Sequence, residues 1–360
     1  MTQTWLRIGG AVIAFVIAAA VGVVAVGVFN AAPDPTTGIN VTGANSFALI
    51  LAIALLVAFV VYAALEYLQT RRLDSISRQF DTRTIVLMPL AIAFNIILGQ
   101  AVGAALKVPI YLDSIGTILV GALAGPVPGA LTGFLSNTLW TYAVPPPFHS
   151  DISGAFGIVA AVIGLLAGLF GRIGWLRPRP DRSYGELAVG AVVAVVLIVG
   201  LAYLAFVGYK AILGDTSLAP TGDNTLFLVL GYFALALVAA TVLGLLVLLF
   251  VRRDLTASYV VVAGVATGII AALISAPISA NVFGGVTGAG TDFLVAAFRQ
   301  AGADVRAATL GQGLISDPID KVTTFFVVYL ILSAMAARTK ARFPQGERLV
   351  GGEQLGGTTA

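Results

Sequence analysis

Apolar stretches long enough to cross a bilayer recur from one end of the chain to the other. They occupy Ile8–Phe29, Ser46–Tyr67, Thr84–Leu106, Ser153–Phe170, Leu187–Val207, Thr225–Val251, Ser258–Ile278 and Val322–Ala337. A spanning helix needs roughly 20 mostly apolar residues. A water-soluble domain carries about 25% charged residues, whereas this chain has 10% charged and 59% hydrophobic residues. So little charge cannot cover aqueous domains, and the expected fold class is an all-α polytopic membrane protein embedded in the lipid bilayer. The first apolar run is longer than the core of a signal peptide and is read as a retained helix.

The stretch from Pro109 to Ala143 is apolar but interrupted by Gly125-Pro126-Val127-Pro128. Proline lacks an N–H and restricts its predecessor, so the interruption is either a kink in one crossing or a turn between two short ones. Basic residues decide between them. With two crossings, about ten transmembrane helices result. Arg7, Arg71, Arg72, Arg78, Arg83, Arg172, Arg177, Arg179, Arg182, Arg252, Arg253, Arg338, Lys340, Arg342 and Arg348 then share one side, fifteen of the twenty Lys and Arg. The positive-inside rule makes that side cytoplasmic, with both termini. It also accounts for the net charge of +3 without nucleic acid. The expected location is the plasma membrane. The two central helices, Pro109–Gly125 and Val127–Ala143, are short enough that they should tilt little or sit within protein.

The chain divides into a six-helix core with two extra helical hairpins. Residues 1–83 hold an N-terminal hairpin and a cytoplasmic linker. Residues 84–185 carry the first part of the core, 186–255 an inserted hairpin, 256–342 the rest of the core, and 343–360 a disordered polar tail. Each hairpin ends in a paired arginine, Arg71-Arg72 and Arg252-Arg253. Internal duplication and convergence on the same topology both explain this. Between the last two core helices lies a long outer segment, 279–321, containing the glycine-rich run Phe283–Asp292 and the amphipathic Phe293–Gln300. Such backbone at membrane depth lines a cavity or packs tightly on helices.

Polar residues within spans are costly and therefore functional candidates. Asn95 and Gln100 lie in the first core helix, Tyr111 and Asp113 at the outer end of the second, and Asn137, Trp140 and Tyr142 near the outer end of the third. His149 and Asp151 follow. Asn281, Asp292 and Arg299 come from the outer segment, and Asp317, Asp320 and Lys321 precede the last apolar run. Gathered at one end, they suit capture of a small solute. Individually they have plainer readings: Asp113 and Asp317 as helix N-caps, Trp140 and Tyr142 as interfacial aromatics, Lys321 as a partner of Asp317 four residues earlier. Glycines at four-residue spacing, Gly121, Gly125, Gly129 and Gly133, permit close helix contact, either inside the bundle or with a partner.

With no Cys and a single His, the chain excludes thiol chemistry and multi-His metal centres. It has no Walker motif and no catalytic constellation, so no enzyme activity, cofactor or metal is expected.

The core resembles the S component, the substrate-binding membrane subunit, of energy-coupling factor (ECF) transporters. The resemblance rests on Pro109-Ile110-Tyr111-Leu112-Asp113-Ser114-Ile115-Gly116-Thr117, Gly125-Pro126-Val127-Pro128-Gly129-Ala130-Leu131-Thr132-Gly133, Phe283–Asp292 and Asp317-Pro318-Ile319-Asp320-Lys321 opening the last helix. It covers roughly Thr84–Arg342 minus the inserted hairpin. It implies capture of a vitamin or similar micronutrient near the outer face, by Asp113, Tyr111, Asn137, Trp140, His149, Asn281, Asp292 and Asp317. The loop Lys107–Asp113 would help close the site. It also implies ATP-driven uptake with an ECF coupling membrane protein and two cytoplasmic ATPases, and toppling of the S component to release its cargo. Ala91 and Asn95, at the family's docking spacing, together with Gly125, Gly129 and Gly133, would face the coupling protein. A membrane sensor acting through a separate partner is the alternative, and a stand-alone channel or structural membrane protein the third reading.

Overall fold

Inside a bilayer every backbone N–H and C=O must be satisfied by the protein itself, which leaves helices as the outcome for isolated apolar runs. The computed structural model describes residues 2–28, 40–100, 110–146, 149–214 and 224–350, and the regular elements among them are all helical. The first hairpin is α1 (Thr2–Val26) and α2 (Val41–Thr70). A short linker helix, α3 (Asp74–Ser77), leads into α4 (Thr82–Leu98), α5 (Ile115–Ala124), α6 (Pro126–Tyr142) and α7 (Gly157–Arg172). The second hairpin is α8 (Tyr184–Gly214) and α9 (Asn224–Leu246). Then come α10 (Thr256–Phe283), the short α11 (Asp292–Gln300), α12 (Val305–Ala334) and α13 (Ala337–Ala341).

The helices Leu6–Val26, Val41–Thr70, Ser153–Arg172 and Thr256–Phe283 are long and apolar enough to span a membrane, and Thr82–Leu98, Ile115–Ala124, Tyr184–Gly200 and Ala236–Val251 are shorter apolar helices. The chain is a membrane-embedded helical protein. Large apolar side chains such as Val24 at 83%, Val189 at 74% and Leu90 at 65% exposed would be unfavourable against water over so wide an area and are at home against lipid.

Backbone contact holds the bundle together. A Cβ on Gly133 would collide with the carbonyl of Ala160, one on Gly164 with Gly129, and one on Gly168 with Pro126, so α6 and α7 touch backbone to backbone. Likewise Gly264 and Gly268 of α10 meet Val322 and Pro318 of α12. Glycine is required at these crossings because any side chain would push the helices apart. The break at 125–128 is a turn: Gly125 has φ +132°, a conformation that L side chains rarely adopt. Pro126 then opens α6, where a missing N–H costs nothing.

Three expectations change. Helix α5 has ten residues, about 15 Å; residues 110–114 are irregular, with Leu112 at φ 54°. It works as an internal helix, nearly all of it buried. Second, the last long helix begins at Val305, capped by Asp304, not at the apolar run from Val322. Asp317-Pro318-Ile319-Asp320-Lys321 is therefore helix interior. Third, the carboxy-terminal segment is folded at least to Val350. Leu349 is fully buried, the Gln345 N–H donates to the Leu123 carbonyl at 2.8 Å, and Arg348 donates to the Arg172 carbonyl at 2.7 Å. Residues 351–360 lie outside the described residues.

The arginine-rich segments meet at one end of the bundle. Arg7 pairs with Glu66 at 3.3 Å, Arg83 donates to the Arg342 carbonyl at 3.1 Å, and Asp254 accepts from the Arg179 N–H at 3.0 Å.

Candidate functional site

At the opposite end a cavity of about 380 Å³ lies among α6, α7, α10, α12, the irregular residues 110–114 and the glycine-rich loop. Its position follows from the helix directions. The last turns of α6 bring Asn137 and Trp140, the turn at Ser153–Phe156 and the start of α7 bring Phe156 and Val159, the second half of α10 brings Ser275 and Ser279, and the first and middle turns of α12 bring Gln312, Asp317 and Lys321. The volume falls in the range of small-molecule sites, about 300–1,000 Å³.

Six of the eight residues assigned to substrate binding from sequence line this one cavity: Tyr111, Asp113, Asn137, Trp140, His149 and Asp317. Asn281 and Asp292 do not. Asn281 is exposed and donates to the Pro277 carbonyl at 2.8 Å. Asp292 folds the loop instead: its carboxylate accepts from the N–H groups of Thr287 and Gly288 at 2.8 and 2.6 Å and from the Thr287 hydroxyl at 2.7 Å. That holds Thr287, Gly288 and Ala289 in the cavity wall. Of the closing loop Lys107–Asp113, residues 107–109 lie outside the described residues.

The capping readings of Asp113 and Asp317 do not hold. The residue before α5 is Ser114, with no side-chain cap bond, and Asp317 is mid-helix. Trp140 is 8% exposed and faces the cavity, not the interface with lipid. His149 shapes its loop, with Nδ1 3.1 Å from the Val144 carbonyl and Nε2 2.9 Å from Asp151.

Beneath the cavity a polar network joins α12 to residues 111–114. The Lys321 ammonium donates to Asp320 at 2.5 Å and to the Ser114 hydroxyl at 2.9 Å. The other Asp320 oxygen accepts the N–H groups of Tyr111 and Leu112 at 3.2 and 2.9 Å. The Tyr111 hydroxyl meets Thr291 at 2.7 Å, which ties the glycine-rich segment to the same cluster. Lys321 thus pairs with its neighbour and not with Asp317 four residues back. Asp320, fully buried, is its main partner, and Asp113 lies 3.9 Å away.

The docking residues named from sequence are interior. Ala91 and Asn95 are buried. The Asn95 amide donates to Thr117 and Ser136 at 2.8 and 3.0 Å and accepts the Gly116 N–H at 2.7 Å. Gly129 and Gly133 are occupied by α7, and Gly125 faces Gln79 and Gln345. None of these positions is a free surface for a partner helix, because the chain's own helices fill the space.

Sequence reasoning missed Gln312, Ser275 and Phe156. A signal existed for Gln312: Asp304 as N-cap starts a helix in which Gln312 and Ser316 sit four apart on one face, and they bond at 2.6 Å. Compared with family models, curated proteins and solved structures, the chain matches none.

Proposed function

We propose that the chain is the substrate-binding membrane subunit of an ECF-type ABC importer. It captures a vitamin or similar small micronutrient at the outer face and hands it to an ECF coupling membrane protein driven by two cytoplasmic ATPases. In this reading there are ten crossings in the plasma membrane, both termini are cytoplasmic, and the chain itself hydrolyses no ATP. The observation that carries it is the 380 Å³ cavity, walled by polar and aromatic side chains, at the end of the bundle opposite the arginine-rich segments. The resemblance in residues 109–117, 125–133 and 283–292 supports it. With positions 91, 95, 129 and 133 interior, coupling would use another surface, and the lipid-facing hairpins would be peripheral additions.

The test begins with the full chain purified from membranes and denatured, with the released small molecules identified by mass spectrometry. One metabolite per chain is the expected result, with ATP-dependent uptake of it once the coupling protein and ATPases are supplied. Asp113→Ala should weaken its binding about tenfold or more, the scale of a hydrogen bond to a charged group. No released metabolite, together with no association with an ATPase pair, would overturn the proposal.

A further inference from the structure

Charge around the cavity is unevenly matched. Asp113, Asp317 and Lys321 line it, with Asp320 directly behind. Lys321 is already committed, to Asp320 and to the Ser114 hydroxyl, and its approach to Asp113 is a loose 3.9 Å. Asp317 is 6% exposed. Its oxygens meet the hydroxyls of Ser316 at 3.1 Å and Ser275 at 3.4 Å, and among the described residues it forms no ion pair. His149 and Asp151, also in the lining, are hydrogen-bonded to each other at 2.9 Å. Three carboxylates therefore share one ammonium, in a setting where unmatched charge is strongly disfavoured.

The remaining lining tells what kind of positive charge fits. Among the described residues no group of three or more His, Cys, Asp or Glu could hold a metal ion. The cavity is far larger than an ion, and Trp140 and Phe156 stand in its wall. Aromatic faces attract organic cations through the ring quadrupole. We infer that the cavity selects a small organic cation, a protonated amine or a positively charged heteroaromatic ring, whose charge is met by Asp317 and Asp113. This rests on the reading of the cavity as a solute site, and it narrows the solute to one charge class.

Two measurements test it. The first uses the full chain in lipid nanodiscs and follows tryptophan fluorescence with benzamidinium chloride and its neutral isostere benzamide. Benzamidinium should quench saturably and bind at least tenfold more tightly than benzamide. Asp317→Asn, which keeps the side chain's shape, should erase that preference while the variant elutes and melts like the parent. Asp317→Glu should retain part of it. Equal affinities, a preference for benzamide, or no saturable binding of benzamidinium overturns the inference. The second is the charge of the metabolite released on denaturation. A cation supports the inference. A neutral or anionic metabolite overturns it while leaving the solute-binding reading intact, and no metabolite at all, together with no association with an ATPase pair, removes both.

Discussion

Lys321 and Asp320 are adjacent and paired, yet removing them should have unequal effects. Asp320 is fully buried and its one cationic partner among the described residues is Lys321. Lys321→Met therefore leaves a carboxylate deep in the bundle with no counter-charge, a change that costs about 3–5 kcal/mol. Lys321, by contrast, has a second carboxylate, Asp113, at 3.9 Å. At that distance and an effective dielectric constant of about 20, two unit charges attract by roughly 4 kcal/mol. Asp320→Asn also keeps an oxygen that can accept the Tyr111 and Leu112 N–H groups. Its loss should be smaller, about 1.5–3 kcal/mol, the scale of one hydrogen bond to a charged group. Adding Asp320→Asn to Lys321→Met removes the stranded carboxylate, so the double variant should be more stable than Lys321→Met alone. Reversible unfolding of the purified chain in mixed detergent micelles would measure all three. Equal losses for the single variants, or a double variant whose loss is their sum, would mean that a stranded Asp320 charge is not what destabilises Lys321→Met.

Asn95→Leu removes two donated bonds and leaves the Gly116 N–H without its acceptor, so unfolding free energy should fall by about 1–3 kcal/mol in the same assay. Gly164→Val forces α7 away from Gly129 and should cost about 3 kcal/mol. The melting temperature of the variant against the parent checks this, and an unchanged value would mean that the two helices are not in backbone contact.

Hydropathy made the membrane class and most helix positions legible, because lipid penalises exposed backbone in every apolar run alike. It misplaced the start of α12 for a physical reason. A window average treats Asp317, Asp320 and Lys321 as charges that must leave the membrane, whereas here Asp320 and Lys321 compensate one another inside protein. Pro318 reinforced the error, since proline usually opens a helix. In the structure it lies mid-helix against Gly268. The cavity lining was partly legible because polar residues in spans are scarce. Asn95 and Asp292 looked the same in sequence as Asn137 and Asp317. Whether a side chain ties up its own scaffold or faces a cavity depends on neighbours distant in the chain, such as Thr117 and Ser136 for Asn95.

The glycine crossings have a mechanical consequence. Helices in backbone contact cannot slide by exchanging side-chain rotamers, so α6 with α7 forms one stiff block and α10 with α12 another. The cavity is the gap between these blocks, and its width is set by their spacing. One bridge across that gap is the pair of N–H groups of Tyr111 and Leu112 held by Asp320, next to Leu112 with its left-handed backbone. Such a residue holds that conformation only while its surroundings impose it. Releasing those two hydrogen bonds would let residues 111–112 relax while the Phe156–Phe283 stack and the Lys321–Ser114 bond still hold the blocks together, so the cavity wall can give at this point without the bundle coming apart.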